Sequence, residues 1–388
     1  MKKVAIGQAG GPTAVVNSTL IGFVDSVKDS CSITFVENGY EGLVNGSFIN
    51  GDTEMLDWVQ GNKQVPGACL GSGRFPFTDT DIKKAITNLR QNGIHTLAFI
   101  GGNGTMEALN KLRLEARKLG VDLQVIGIPK TVDNDIGCID HAPGFGSAAR
   151  YIAQTTKDTS RDLDAMKNFE QIRIIETMGR NGGWLAAASG LFKEYSEEGP
   201  HFIAIPEKPL DKKELLHAVR KAIQSFGYAV VVVSEGVQWV KGSQVEIDQV
   251  YGRPILGGIS KEIEGFLKKK LNLMTRSELL GINQRSYSVG ASCVDQEEAY
   301  VVGVKAGEWI KEGLSGCMVS IQRGTSFSYS IDIKPVELEK VIRAGERPMP
   351  LEFIQNFDAY YEWLLPLVGN GAPSYPPLLQ SRFANVKR

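Results

Sequence analysis

Short apolar runs that end in glycine-rich turns and lead into stretches of helical period recur along the chain, and this alternation restricts the fold more than any other feature. Residues 3–7 (Lys-Val-Ala-Ile-Gly), 95–100, 122–128, 172–177, 202–206 and 228–234 (Tyr-Ala-Val-Val-Val-Val-Ser) read as buried strands. Between them, Leu109, Leu112, Ala116 and Leu119 recur at three and four residues, as do Leu215, Val219, Ile223 and Phe226. Each such helix has one apolar stripe to lay on a sheet. Thr80, just before Asp81, Ile82, Ile86 and Leu89, predicts a further capped helix. Strands alternating with helices build βαβ units around a mostly parallel sheet. At 388 residues the chain has room for more than one core. The expected fold class is therefore α/β, with two doubly wound, mostly parallel-sheet domains and a C-terminal extension. Turn-forming residues gather at Asp140-His141-Ala142-Pro143-Gly144, which puts a boundary near 145.

Charge and cysteine usage exclude several functions. Lys+Arg number 43 against 44 Asp+Glu, so no global basic field exists to hold nucleic acid or an anionic membrane, and phosphate affinity must be local. Cys31, Cys69, Cys138, Cys293 and Cys317 form no CxxC pair, and His95, His141, His201 and His217 show no metal-ligand spacing. No apolar stretch approaches the roughly 20 residues of a membrane span. A reduced, cytoplasmic protein is the expectation. The run Lys268-Lys269-Lys270 reads as the solvated face of a helix that turns Ile259, Ile263 and Phe266 inward.

Three segments carry chemistry. The run 95–100 leads into Gly101-Gly102-Asn103-Gly104-Thr105 and then directly into a helix, so backbone N–H groups and a positive dipole end meet where glycines admit a close ligand. Phosphate binding follows, although the GxxxxGK[ST] spacing of a P-loop is absent. Gly10-Gly11-Pro12-Thr13 is a second turn of this kind after the first strand, and two such turns at strand ends converge on one crevice in an open α/β sheet. Third, strand 122–128 ends in Pro129-Lys130-Thr131-Val132-Asp133-Asn134-Asp135. In an extended loop Asp133 and Asp135 point to the same side. Two carboxylates beside a phosphate site suit a divalent metal or a general base, and Lys130 neutralises charge on a transferring phosphoryl group. Gly144-Phe145-Gly146-Ser147-Ala148-Ala149 matches GxGxxA, but no apolar strand precedes it, which discounts a nicotinamide cofactor.

Together these residues resemble the phosphofructokinase family. The likeness covers roughly the first 325 residues and rests on ordered motifs: Gly-Gly-Pro-Thr-Ala-Val-Val-Asn at 10–17, Gly-Ser-Gly-Arg-Phe at 71–75, the 101–105 and 129–135 segments, Met-Gly-Arg at 178–180, Ser-Glu-Gly at 234–236 and Gln-Arg at 284–285. The 10–17 and 143–147 segments look closest to the short bacterial pyrophosphate-using members. The resemblance implies a kinase that moves a phosphoryl group from ATP to the C1 hydroxyl of fructose 6-phosphate, a glycolytic reaction, with Mg²⁺. It implies Asp133 as the base, with Thr131, Asp135, Lys130 and Arg180 supporting it. Met178, Gly179, Arg180, Glu235, Arg276 and Arg285 contact the sugar phosphate together with Thr131 and Asp133. Gly11, Arg74, Gly102, Asn103, Gly104 and Thr105 hold the donor, and Asn103 and Asp135 the metal. The donor-binding domain is expected over 1–145 plus about 286–330, the sugar-phosphate domain over 146–285, and the extension over 331–388. A homodimer or homotetramer is implied, with neither nucleic acid nor membrane as partner.

Departures from the family pattern leave alternatives. Pyrophosphate-dependent members usually carry an acidic residue at the position of Gly104, and its absence favours ATP. Lys130 points to pyrophosphate instead. Asn103 stands where ATP enzymes usually have an aspartate, so one contribution to Mg²⁺ binding is neutral. Gln171 replaces an arginine that commonly binds the sugar 6-phosphate, and Ile282 a histidine or tyrosine near the same group; Arg173 is the expected compensator. A related sugar phosphate or polyol is therefore an alternative acceptor. A silent nucleotide or sugar-phosphate sensor is the non-enzyme alternative.

Overall fold

The structure is a computed structural model and describes residues 1–73, 75–250, 253–326 and 328–379. Its strands in chain order are β1 (Lys2–Gln8), β2 (Cys31–Val36), β3 (Phe48–Asn50), β4 (Thr96–Gly101), β5 (Gln124–Pro129), β6 (Ile172–Thr177), β7 (Phe202–Ala204), β8 (Ala229–Ser234), β9 (Glu246–Val250), β10 (Arg253–Leu256), β11 (Thr275–Leu279), β12 (Cys317–Arg323) and β13 (Ile331–Glu337). The chain divides into two compact units, Met1–Ser147 with Arg285–Arg347 and Ala148–Gln284 with Pro348–Arg388.

The first unit is built on a seven-stranded sheet in the order β13-β12-β5-β4-β1-β2-β3. Pairs β1–β2, β1–β4, β4–β5 and β5–β12 are parallel, and β3 and β13 are antiparallel edges. β4 is buried along its whole length. That is the signature of a central parallel strand covered on both faces, and it explains the unbroken apolar run in its sequence. From β1 the chain moves outward to β2 on one side and later enters β4 on the other. The order therefore reverses between β1 and β4, where loops at the carboxyl ends diverge and leave a crevice.

The second unit holds the all-parallel sheet β11-β6-β8-β7 and the β9–β10 hairpin. Ile172, Ile174, Val231 and Val233 of its strands pack with Leu215 and Val219 of helix Lys212–Phe226 and Ile263 of helix Ile259–Leu271. The lysine run lies in the last turn of that second helix.

The six strands expected from apolar runs all form, within about two residues at each end. β11 was not legible because its sequence, Thr-Arg-Ser-Glu-Leu, alternates charge with half-exposed positions, as an edge strand does. The helix over Asp79–Gln91 starts two residues earlier than expected. Thr78, not Thr80, caps it, through a box in which Asp81 N–H donates to Thr78 Oγ1 at 3.3 Å and Thr78 N–H to Asp81. Residues after 330 divide between the units: β13 extends the first sheet beside β12, and Pro348 onward packs in the second unit. No helix among the described residues is long and apolar enough to cross a membrane.

Candidate active site

The loops after β1, β4 and β5, three adjacent parallel strands, meet at their carboxyl ends. Gly102 caps helix Asn103–Lys118 with no side-chain hydrogen bond, and no acidic residue stands in its first turn. Thr105 N–H turns back to the Gly102 carbonyl at 2.9 Å, which leaves the N–H groups of Asn103 and Gly104 to a phosphate. Lys130, almost fully buried, donates to the carbonyls of Ala9 at 3.0 Å and Gly11 at 2.6 Å, so one cation ties the β5 loop to the β1 turn. Asn103 Nδ2 donates to Asp135 Oδ2 at 3.2 Å and to its carbonyl at 3.1 Å, which ties the β4 turn to the same loop. Arg285 also belongs to this group: its Nη1 would lie 2.6 Å from a Cβ at residue 11, so the guanidinium packs against the bare Gly11 and a side chain there would displace it. Arg74 lies outside the described residues.

Sequence reasoning missed what supports these turns. Gln8 and Asn17, both fully buried, form a closed network: Gln8 Nε2 donates to Asn17 Oδ1, and Asn17 Nδ2 to the carbonyls of Val65 and Gly67. The amides of Cys69 and Leu70 donate back to Asn17 and Gln8. The network seats the segment that brings Ser72 to the Gly10 carbonyl, 2.6 Å away.

The loop from Thr131 to Asp135 is not extended. Asn134 adopts φ 54°, so strict alternation of Asp133 and Asp135 does not hold there; the link from Asp135 to Asn103 is what associates the acidic pair with the glycine turns. Asp133 N–H donates to Thr131 Oγ1 at 3.1 Å, and Asn134 Oδ1 accepts from Ala142 N–H. Ala142 in turn follows a buried charged knot. His141 places Nδ1 2.8 Å from Asp140 and Nε2 2.6 Å from Glu298, while Tyr329 donates to Glu298 at 2.5 Å and Arg323 reaches Asp140 at 3.3 Å. Burial alone would lower the His141 pKa; the hydrogen bonds and charges of Asp140 and Glu298 prevail and raise it to about 9. The imidazolium's contribution to stability is thus fully present below the ordinary histidine pKa of about 6.5 and is lost as pH rises through about 9, a difference on the order of 3 kcal/mol. Denaturant unfolding at pH 7 and pH 10 is expected to show this loss in the wild type and a much smaller one in His141→Gln.

The GxGxxA segment is occupied by protein. The buried Asp295 carboxylate accepts from Gly144 N–H at 2.8 Å and from Ser147 N–H at 2.9 Å. A carboxyl group of the chain itself therefore sits at the start of helix Phe145–Met166, where a dinucleotide would place its pyrophosphate.

In the second unit, Met178-Gly179-Arg180 follows β6, and Glu235 follows its neighbour β8. Arg180 holds φ 48°, an uncommon conformation for a side-chain-bearing residue, and its N–H donates to Glu235 Oε1 at 3.3 Å. A Cβ on residue 236 would fall 1.6 Å from the Arg180 carbonyl oxygen, which explains the glycine of Ser-Glu-Gly. Met178 N–H donates to Gln284 Oε1 at 2.9 Å. Burial raises Glu235 to about 7, and the charge of Glu176 adds to this against the opposing Arg180 contacts. Near neutrality this carboxyl is therefore available both as a donor and as an acceptor.

Arg276 does not join that turn within one protomer. It stands near the start of β11, paired in register with Arg173 of β6, five residues or roughly 16 Å along the strand from Met178. Gln171 lies at the same end, where its side chain bonds Lys167 O and Met274 N–H. Arg173 is not free to compensate for it, because its guanidinium is bound by Glu170 at 2.6 Å and by Glu278. Glu170 also accepts from Arg276 at 3.1 Å. Ile282 is 62% exposed.

The family model for phosphofructokinase matches residues 3–310. The chain belongs to the phosphofructokinase family. A sulfofructose kinase of Alkalicoccus urumqiensis is 46% identical over 93% of this chain and 94% of the relative. A pyrophosphate–fructose 6-phosphate 1-phosphotransferase of Xanthomonas campestris pv. campestris is 32% identical over 90% of this chain and 86% of that one. The crystal structure of a pyrophosphate-dependent phosphofructokinase from Marinobacter aquaeolei superposes with a TM-score of 0.85 at 30% identity, covering 97% of this chain and 94% of the other. The expected α/β fold with mostly parallel sheets is thus the phosphofructokinase fold, and the chemistry is phosphoryl transfer of the phosphofructokinase type.

Proposed function

We propose that this member of the family transfers the γ-phosphoryl group of ATP to the C1 hydroxyl of a fructose that bears a sulfonate where fructose 6-phosphate bears its ester. The observation that carries this reading is the charge balance at the positions which, by resemblance, hold the sugar's anionic tail. Gln171 and Ile282 are neutral, Arg173 is bound by Glu170 and Glu278, and Arg276 shares Glu170. A phosphate monoester carries about −1.5 to −2 at pH 7, whereas a sulfonate carries a single charge and needs fewer cations. The likeness to a sulfofructose kinase supports the same acceptor.

Asp133 takes the proton of the C1 hydroxyl as the hydroxyl oxygen attacks the γ-phosphorus in line, the bond from that phosphorus to the β,γ-bridging oxygen breaks and ADP leaves, and Arg180 stabilises the charge that develops. Gly11, Gly102, Gly104 and Thr105 hold the donor phosphates. A carboxylate and an amide oxygen, those of Asp135 and Asn103, form a donor set that fits Mg²⁺ when phosphates and water complete the shell. The ion would neutralise donor phosphate charge there. Because Arg276 is remote from Met178 along its own strand and 57% exposed, we assign it to the tail site of a second copy in a homodimer or homotetramer.

A second reading keeps fructose 6-phosphate as acceptor and pyrophosphate as alternative donor. It is favoured by Lys130 and by likeness to the Xanthomonas enzyme. Assay of the wild type with both acceptors decides: a higher kcat/KM for the sulfonated sugar is expected, and preference for fructose 6-phosphate overturns the proposal. Gln171→Arg is expected to shift the ratio toward the phosphate ester by about tenfold or more, the worth of one charged contact.

A further inference from the structure

Residues 348–375 are held against the second unit by a dense set of polar and aromatic contacts that neither the donor nor the acceptor chemistry uses. Arg150 gathers the carbonyls of Val368, Asn370 and Gly371 at 2.8, 2.8 and 3.1 Å. Lys157, 2% exposed, bonds Glu194 at 2.7 Å and the Pro373 carbonyl at 2.9 Å. Once formed, these contacts hold the segment, since pulling the Pro373 carbonyl away would leave a buried ammonium short of a partner.

At its other end this segment closes on the helix that begins at Trp184, directly after the Met178–Arg180 turn. Phe353 and Trp363 pack on the Trp184 ring with centroids 6.1 and 5.3 Å away, and Tyr360 donates to the Trp184 carbonyl at 2.5 Å. One atom joins the two: Glu207 Oε1 accepts from Gly183 N–H at 2.9 Å and from Met349 N–H at 2.8 Å. The other oxygen, Oε2, is buried and has no hydrogen-bond partner among the described residues. Gly182 N–H closes the turn on the Gly179 carbonyl at 2.8 Å, so the amide that Glu207 anchors borders a turn that is already tight.

We propose that residues 348–375 act as a strap that sets the sugar-binding turn through Glu207 and Trp184, which makes Glu207 a positioning residue for the acceptor. The strap gives the turn a fixed far end: β6 holds Met178 on one side and the anchored Gly183 holds the other. Arg180 keeps its left-handed backbone only while both ends are fixed. The assignment rests on the reading of Met178–Arg180 as an acceptor contact, though not on which sugar binds.

Glu207→Ala removes the bridge, and Glu207→Gln keeps an accepting oxygen while removing the buried charge. With whichever acceptor the wild type phosphorylates, Glu207→Ala is expected to raise acceptor KM about tenfold, leave donor KM within twofold, and be rescued by Glu207→Gln. Amide exchange, which needs no substrate, is expected to quicken about tenfold or more across 179–184 in Glu207→Ala and not across 101–118. Unchanged exchange at 179–184 overturns the proposal, as does a parallel rise of both KM values. Loss of acceptor preference in the wild type, by contrast, strikes only the reading of the substrate.

Discussion

Asp133→Ser is expected to lower kcat by about 10²–10⁴ while acceptor KM stays within about threefold, measured in steady state with saturating donor. Phosphoryl transfer asks little covalent chemistry of a protein, but the attacking hydroxyl must lose its proton, and a serine in place of the carboxylate has no basicity to offer. The hydrogen bond from the main-chain N–H of residue 133 to Thr131 survives the change, and a circular dichroism melt of the variant checks that the fold is kept. Asp135→Ala should behave differently. Its carboxylate engages Asn103 of the donor turn, so its loss is expected to appear as a higher requirement for Mg²⁺ and donor. Turnover by Asp133→Ser at the wild-type rate would remove Asp133 as the base.

Local patterns were legible in the sequence where the responsible contacts are local. The apolar runs of β4 and β8 announce buried parallel strands because no polar neighbour interrupts them, and the glycines that follow β1 and β4 mark where the backbone must approach something closely. Long-range partners were not legible. Asn134 is left-handed, and its side-chain Oδ1 accepts from the N–H of Ala142, eight residues on, in a conformation no alternation rule foresees. The His141 knot depends on Glu298, a residue 157 positions away. Arg276 and Met178 are both expected at the acceptor site from the family resemblance, yet strand direction separates them within the chain: one sits near the start of β11, the other just past the end of β6, and parallel register keeps them apart. Glu207 has no motif at all, because its role arises from two amides that only the folded chain brings to one oxygen.

Donor choice is tested most sharply at Gly104. The residue is exposed, second in helix Asn103–Lys118, and not among the positions with positive φ, so a side chain is admitted there without strain. Gly104→Asp places a carboxylate at the N-terminus of the helix, where the dipole stabilises it by about 0.3–1 kcal/mol and the fold should not suffer. The same carboxylate would face the donor's phosphate chain. Like charges brought together in a desolvated site cost several kcal/mol, so kcat/KM for ATP is expected to fall about 10²–10³-fold. Pyrophosphate lacks the third phosphate and the nucleoside, so any activity with it is expected to fall much less. If ATP use persists undiminished in Gly104→Asp, the donor chain does not pass this helix end and the placement of ATP over Gly102–Thr105 is wrong. If the wild type already uses pyrophosphate and ignores ATP, then glycine at 104 does not set donor choice, and the cation of Lys130 beside Gly10 and Gly11 becomes the feature to test.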